Sequence, residues 1–125
     1  MRVSEIMNKV RVIEHDMTLK QAAKVMSKRG IGSLVVLKKD KIAGIVTERD
    51  VMKNIDKLNK RVSKVMNKDV VTIDGGEQID DAAVIMSEGS IKRLPVVHKG
   101  KLVGILTATD ILAHAEGIGE DLFFE

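Results

Sequence analysis

Two short segments share one spacing of chemically capable residues: Thr47-Glu48-Arg49-Asp50 and Thr107-Ala108-Thr109-Asp110 both read T-x-x-D. Each lies where an apolar, strand-like run gives way to a helix-like pattern. The same residues support two chemistries there. One is a capping box, in which the hydroxyl accepts from a first-turn N–H and the acid reaches back to the cap. The other is ligand binding. A helix start offers unpaired N–H groups and the positive end of its dipole to a phosphate, and a carboxylate beside it can accept both hydroxyls of a vicinal diol such as a ribose. Cations that a phosphate would require lie close in sequence: Arg49 inside the first motif, Lys92 and Arg93 at the entry to the strand before the second, and Arg29 near the matching point of the first. Each of these cations, taken singly, also reads as a solvated surface charge.

The elements that position these residues come as a repeat. From Ala22 to Met52 the chain matches Ala82 to Leu112 at a constant offset of 60, with 13 of 31 pairs identical. Upstream, Val3-Ser4-x-x-Met7-Asn8-Lys9 matches Val62-Ser63-x-x-Met66-Asn67-Lys68 at an offset of 59. Each copy opens with an extended piece, Val10–Ile13 or Val70–Ile73. A helix follows, with Leu19, Ala22, Ala23 and Met26, or Ile79, Ala82, Ala83 and Met86, at the i, i+3, i+4, i+7 spacing of one apolar face. Thr18 and Gln21 form a capping-box pattern, Gly30 marks the stop of the first helix, and Gly89 lies near that of the second. Strands 34–37 and 42–47 turn at Lys39-Asp40; strands 96–98 and 102–107 turn at Lys99-Gly100. A last helix runs from Glu48 to about Leu58, and its counterpart from Ala108 to about Ala115. The reading is α+β: two βαββα repeats. A unit of this size is marginal alone, and strands so continuously apolar need cover on both faces. The copies are therefore expected to pack through their sheets about a pseudo-twofold axis. The expected organisation is repeat 1 at residues 1–59, repeat 2 at 60–115 and an acidic tail at 116–125. Gly44 and Gly104, inside strands, imply close packing between the copies.

Composition narrows the function classes. The chain has 125 residues, 44% apolar and 31% charged, with no cysteine, which removes disulfides, thiolate metal sites and cysteine nucleophiles. No apolar run approaches the roughly 20 residues of a membrane helix. With no signal-like stretch at the start, a cytoplasmic location is the default expectation. The only aromatic residues are Phe123 and Phe124, which disfavours the base-stacking surface of single-stranded nucleic-acid binders. The sequence pI of about 9.2 keeps a nucleic-acid-binding basic protein as the alternative reading. His15, His98 and His114 are too scattered for a metal motif, and no Ser/His/Asp signature is present. No enzyme, no catalytic cofactor and no metal are expected.

The set "I-G-S-L-V-V…I-A-G-I-V-T-E-R-D" with "I-K-R-L-P-V-V…L-V-G-I-L-T-A-T-D-I-L" resembles the cystathionine-β-synthase (CBS) domain, and two copies in tandem resemble a Bateman module. The likeness covers about residues 3–115. It implies a regulatory module with two clefts for adenosine-containing ligands such as AMP, ADP, ATP or S-adenosylmethionine, signalling to a regulated protein partner, and commonly a homodimer. By that resemblance Asp50 and Asp110 each hold a ribose diol and Thr47 and Thr107 donate beside them. Arg49 and Thr109 lie near the phosphates. Arg93 matches a position that often carries a phosphate-binding base, with Lys92 and Arg29 as weaker candidates. Val12, Ile13, Val71 and Ile73 belong to the segments that flank the adenine. The copies differ: the second has Leu94-Pro95-Val96 where the first has Leu34-Val35-Val36, and the first has Glu48-Arg49 where the second has Ala108-Thr109. Glu48 would repel a polyphosphate, so the two sites are expected to differ in ligand or affinity.

Overall fold

The computed structural model describes residues 1–114. The acidic tail 116–125, with the expectation that Phe123 and Phe124 either dock or stay loose, lies outside the described residues. The chain forms two compact units, each an α+β arrangement of one three-stranded sheet with helices.

In the unit of residues 10–70, β1 (Val12–Glu14) lies parallel to β2 (Ser33–Lys38), and β2 lies antiparallel to β3 (Lys41–Thr47). Helix α2 (Leu19–Arg29) connects β1 to β2, and α3 (Glu48–Lys53) follows β3. The apolar stripe of α2 is buried at Leu19, Ala22 and Met26, against Ile13, Leu34, Val36, Val46 and Val62. Leu34, Val35 and Val36 are all buried, so both faces of β2 are covered. Thr18 and Gln21 form the expected capping box, and Gly30 adopts the left-handed conformation, φ 65°, that ends α2. The turn residues Lys39 and Asp40 both have positive φ, as a two-residue hairpin whose twist matches its strands requires.

The second unit repeats this plan with β4 (Ile73–Asp74), α4 (Ile79–Gly89), β5 (Arg93–His98) and β6 (Lys101–Thr107), and residues 108–114 are helical. Its core joins Ile73, Ala82, Met86, Leu94, Val96 and Leu106 with Val3. The leading helix α1 (Val3–Ile6) supplies that valine.

Several boundaries differ from those read in the sequence. Strand β5 starts at Arg93, ahead of residue 96: Pro95 lies opposite Ile105, whose own N–H and carbonyl bond to Asn8, so the missing proline N–H costs the pairing with β6 nothing. In the first unit the Val35 N–H donates to the Arg11 carbonyl at 3.1 Å. Pro95, the counterpart of Val35, has no N–H. Accordingly β4 is one residue shorter than β1, and the extended piece 70–73 is a strand only from Ile73. Gly89 is the last residue of α4, near the stop as expected, and Ser90 takes the left-handed position at φ 52°. The closing bond is nevertheless shared, with Ile31 and Ile91 N–H donating to the Met26 and Met86 carbonyls at 3.0 Å. Helix α3 ends at Lys53, well before Leu58. Asn54 turns its side-chain amide onto the Asp50 carbonyl at 2.8 Å. The chain beyond it folds back, so that the Leu58 and Lys60 carbonyls accept from the Lys20 and Leu19 N–H groups at the start of α2.

By compactness one unit comprises residues 10–70 and the other residues 1–9 together with 71–114. Each leading segment therefore joins the sheet of the other sequence copy. Asn67 exchanges two backbone bonds with Ile45, at 3.0 and 2.9 Å, and Asn8 exchanges two with Ile105, at 2.8 and 2.9 Å. The strand glycines permit this approach. A Cβ on Gly44 would meet Met66 Sδ at 2.6 Å and the Asn67 carbonyl oxygen at 2.8 Å; one on Gly104 would meet Met7 Sδ at 2.6 Å and the Asn8 oxygen at 2.9 Å.

Candidate functional site

Each T-x-x-D sits where its hairpin ends. In the first unit Thr47 closes β3 opposite Ser33, the first residue of β2. Thr47 is also the N-cap of α3, and Asp50 lies at the third helical position. The capping box forms: Asp50 N–H donates to Thr47 Oγ1 at 3.4 Å, while Asp50 Oδ2 accepts from Thr47 N–H at 2.9 Å and from the Thr47 hydroxyl at 3.2 Å. The Glu48 N–H donates to the Gly32 carbonyl at 3.0 Å, which pins the helix start to the entry of β2.

The second unit repeats the junction with different surroundings. Thr107 closes β6 opposite Arg93. Asp110 Oδ2 accepts from Thr107 N–H at 2.8 Å, and Asp110 N–H donates to Thr107 Oγ1 at 3.1 Å. The Ala108 N–H donates to the Lys92 carbonyl at 2.9 Å. The same Oδ2 also accepts from the Asn8 side-chain amide at 2.7 Å. Asn8 was not among the residues singled out by sequence. Its signal was the leading repeat Met7-Asn8-Lys9 over Met66-Asn67-Lys68, which lies about a hundred residues from the aspartate it contacts. Asn67 does not copy this contact; its Oδ1 accepts from Asp69 N–H at 3.0 Å.

The capping role leaves both acids with capacity. Every hydrogen bond to their side chains falls on Oδ2, and among the described residues nothing is bonded to Oδ1 of Asp50 or Asp110. Both aspartates are half-buried, so the remaining oxygen belongs to a defined surface rather than a freely rotating side chain.

The other candidates divide by unit. Cross-strand pairing sets Arg93, which is half-buried, beside Thr107, with Asp110 three residues on. Lys92 precedes Arg93 and is exposed, as is Thr109. In the first unit the positions of Lys92 and Arg93 are held by Gly32 and Ser33. Arg49 is exposed beside Asp50, and Arg29 is exposed in the last turn of α2, with no hydrogen bond or ion pair to the junction among the described residues. Val12 and Val71 are each 45% exposed, whereas Ile13 and Ile73 are core residues at 5% and 4%. Alternation along the strand turns those isoleucines inward, so their side chains are spent on packing, and any part they take in a site falls to their backbone. The three histidines form no cluster: among the described residues there is no group of His, Asp and Glu able to hold a metal ion, and no helix is long and apolar enough to cross a membrane.

The chain is similar to known proteins. The CBS domain family model matches residues 3–57 and 62–117. An uncharacterised protein of Methanocaldococcus jannaschii is 39% identical over 106 residues, which is 84% of this chain and 36% of that protein. The inosine-5'-monophosphate dehydrogenase of Thermoplasma acidophilum is 39% identical over 108 residues, 86% of this chain and 22% of the dehydrogenase. The chain thus spans only about a third and a fifth of these relatives. Among solved structures, the CBS domain pair of protein MJ0100, in complex with 5-methylthioadenosine and S-adenosyl-L-methionine, superposes with a TM-score of 0.84 at 30% identity, covering 94% of this chain and 97% of that one. Two matched copies, each with its own sheet and its own strand-to-helix T-x-x-D, make this chain a member of the CBS domain family, in the form of a tandem CBS pair.

Proposed function

We propose that the pair is a regulatory module that binds adenosine-containing ligands at its two strand-to-helix junctions and passes the bound state to a protein partner. The observation that carries this reading is the half-used aspartate. Oδ2 of Asp110 is held by Thr107 and Asn8, which orients the carboxylate, and Oδ1 is left to accept from a ribose hydroxyl. Arg93 beside Thr107 supplies a cation for a phosphate or an α-carboxylate. The binding of 5-methylthioadenosine and S-adenosyl-L-methionine by the pair of protein MJ0100 supports the same ligand class. The first unit has Ser33 in place of Arg93 and places Glu48 at the helix start, so it suits an adenosine ligand of lower negative charge. Ligand-dependent bias between arrangements of the module, or of two modules in a homodimer, is the means of signalling.

A thermal-shift screen over AMP, ADP, ATP, S-adenosylmethionine and 5-methylthioadenosine tests it. A ligand at 100 times its Kd should add about 2.7 kcal/mol of stability. Titration calorimetry on Asp110→Ala should then show affinity for that ligand falling about 30- to 1000-fold, the equivalent of about 2–4 kcal/mol. If Asp110 serves only as a cap, the variant should lose about 0.5–2 kcal/mol of stability and bind as before.

A further inference from the structure

We propose that the unit of residues 10–70 carries a second anion site, for a compact polyphosphate group, away from its T-x-x-D junction. A cavity of about 420 Å³ is lined by Lys38, Lys64, Lys68, Ser63 and His15, and two apolar residues complete the lining. No acidic residue lines it. Among the described residues the only ion pair is His98 with Asp74, so all three ammonium groups lack a carboxylate partner. His15 adds a buried Nδ1 that has no hydrogen-bond partner. An unmet buried polar atom costs about 1–3 kcal/mol, so a small turn of the imidazole toward a bound group would be favoured.

The lining is held at opposite strand ends from the T-x-x-D motif. Lys38 ends β2 and His15 follows β1, whereas Thr47 ends β3 beside the first residue of β2. The His15 N–H donates to the Leu37 carbonyl at 3.0 Å, and the Asn67–Ile45 bonds fix the segment that carries Lys68. Ser63 and Lys64 lie in the single 3₁₀ turn Val62–Lys64, which is tied to the Met17 carbonyl through the Val62 N–H at 2.8 Å. The backbone is thus set before any ligand arrives, and only lysine side chains need to be ordered.

The other unit shows that these charges are not a requirement of the fold. At the offsets of the repeat, His15, Lys38 and Lys64 correspond to Gly75, His98 and Glu5, while Lys68 corresponds to Lys9. There His98 lies 3.9 Å from Asp74, and Glu5 is occupied as an acceptor for the Arg2 N–H. Two of the three lysines of this lining thus have no lysine or arginine counterpart in the other copy. Three point charges with a hydroxyl donor suit a di- or triphosphate better than a monoanion, and the volume lies within the range of small-molecule sites. This site is independent of the adenosine reading.

The test is titration calorimetry of the full chain with inorganic triphosphate at fixed low ionic strength. The unaltered protein should bind, and the triple variant Lys38→Ala/Lys64→Ala/Lys68→Ala should bind at least tenfold more weakly. Lys64→Glu, which installs the residue of the other unit, should do the same alone. A charge-matched variant on the outer face of α2, Lys20→Ala/Lys24→Ala/Lys28→Ala, should bind as the unaltered protein does. All the lysines concerned are exposed, so melting temperatures should stay close to that of the unaltered chain. Absence of triphosphate binding, or equal weakening in both lysine triples, would each overturn the site.

Discussion

Asp50 and Asp110 perform the same local task with different neighbours, and their consequences for the two sites diverge. Both cap a helix through Oδ2, but only Asp110 is also bonded by a side chain from the start of the chain, Asn8. Removing that amide by Asn8→Ala should lower stability by about 1 kcal/mol, and should weaken ligand binding at the Asp110 junction without touching the Asp50 junction; calorimetric titration on both single-site aspartate variants separates the two. Turn chemistry offers a second residue-scale test. Asp40 holds φ 64° where its counterpart is Gly100 at φ 77°. Asp40→Gly should relieve left-handed strain and raise stability by about 0.5–1 kcal/mol, read as a higher melting temperature.

At the scale of elements, the leading segments decide how each sheet is completed. Val3 and Val62 are fully buried in units whose other core residues lie many positions away in sequence. Gly44 and Gly104 face the backbone of Asn67 and Asn8, which is fixed by paired hydrogen bonds and cannot withdraw without losing them. Gly44→Ala and Gly104→Ala should therefore each destabilise by about 1–3 kcal/mol, as overpacking against backbone does, measured by urea denaturation. The Met sulfurs at the same distance could move aside; the carbonyl oxygens set the cost. Legibility was uneven at this scale. The repeat, the capping box at Thr18 and both hairpin turns were plain in the sequence because each depends on residues within a few positions. The early end of α3 was not, because it follows from Asn54 and from carbonyls at 58 and 60 that serve the start of a different helix.

For the whole molecule, the chain leaves apolar surface to be covered. Met52, Ile55 and Leu112 are 69%, 61% and 64% exposed. An apolar groove of about 320 Å³ lies between α2 and α3, bordered by Met26, Ile31, Val51 and Met52. This supports the homodimer proposed above, since such surface on helices seldom stays open to water. Sedimentation at micromolar concentration should give twice the 13.7 kDa chain mass, and Met52→Asp should shift it toward the monomer with little loss of secondary structure. A monomer for the unaltered chain would remove the dimer from the signalling scheme and leave the two ligand sites standing.

Sequence by itself determined the family, the α+β class and the two T-x-x-D junctions. Periodicity, turn residues and a 60-residue offset are local or self-comparing signals, and they survive without coordinates. Tertiary structure decided which copy each leading segment completes, that Asn8 holds Asp110, that Ile13 and Ile73 are core rather than surface, and that Lys38, Lys64 and Lys68 line one cavity. These facts depend on contacts between residues far apart in the chain, where burial and backbone pairing, rather than spacing, determine what a side chain is free to do.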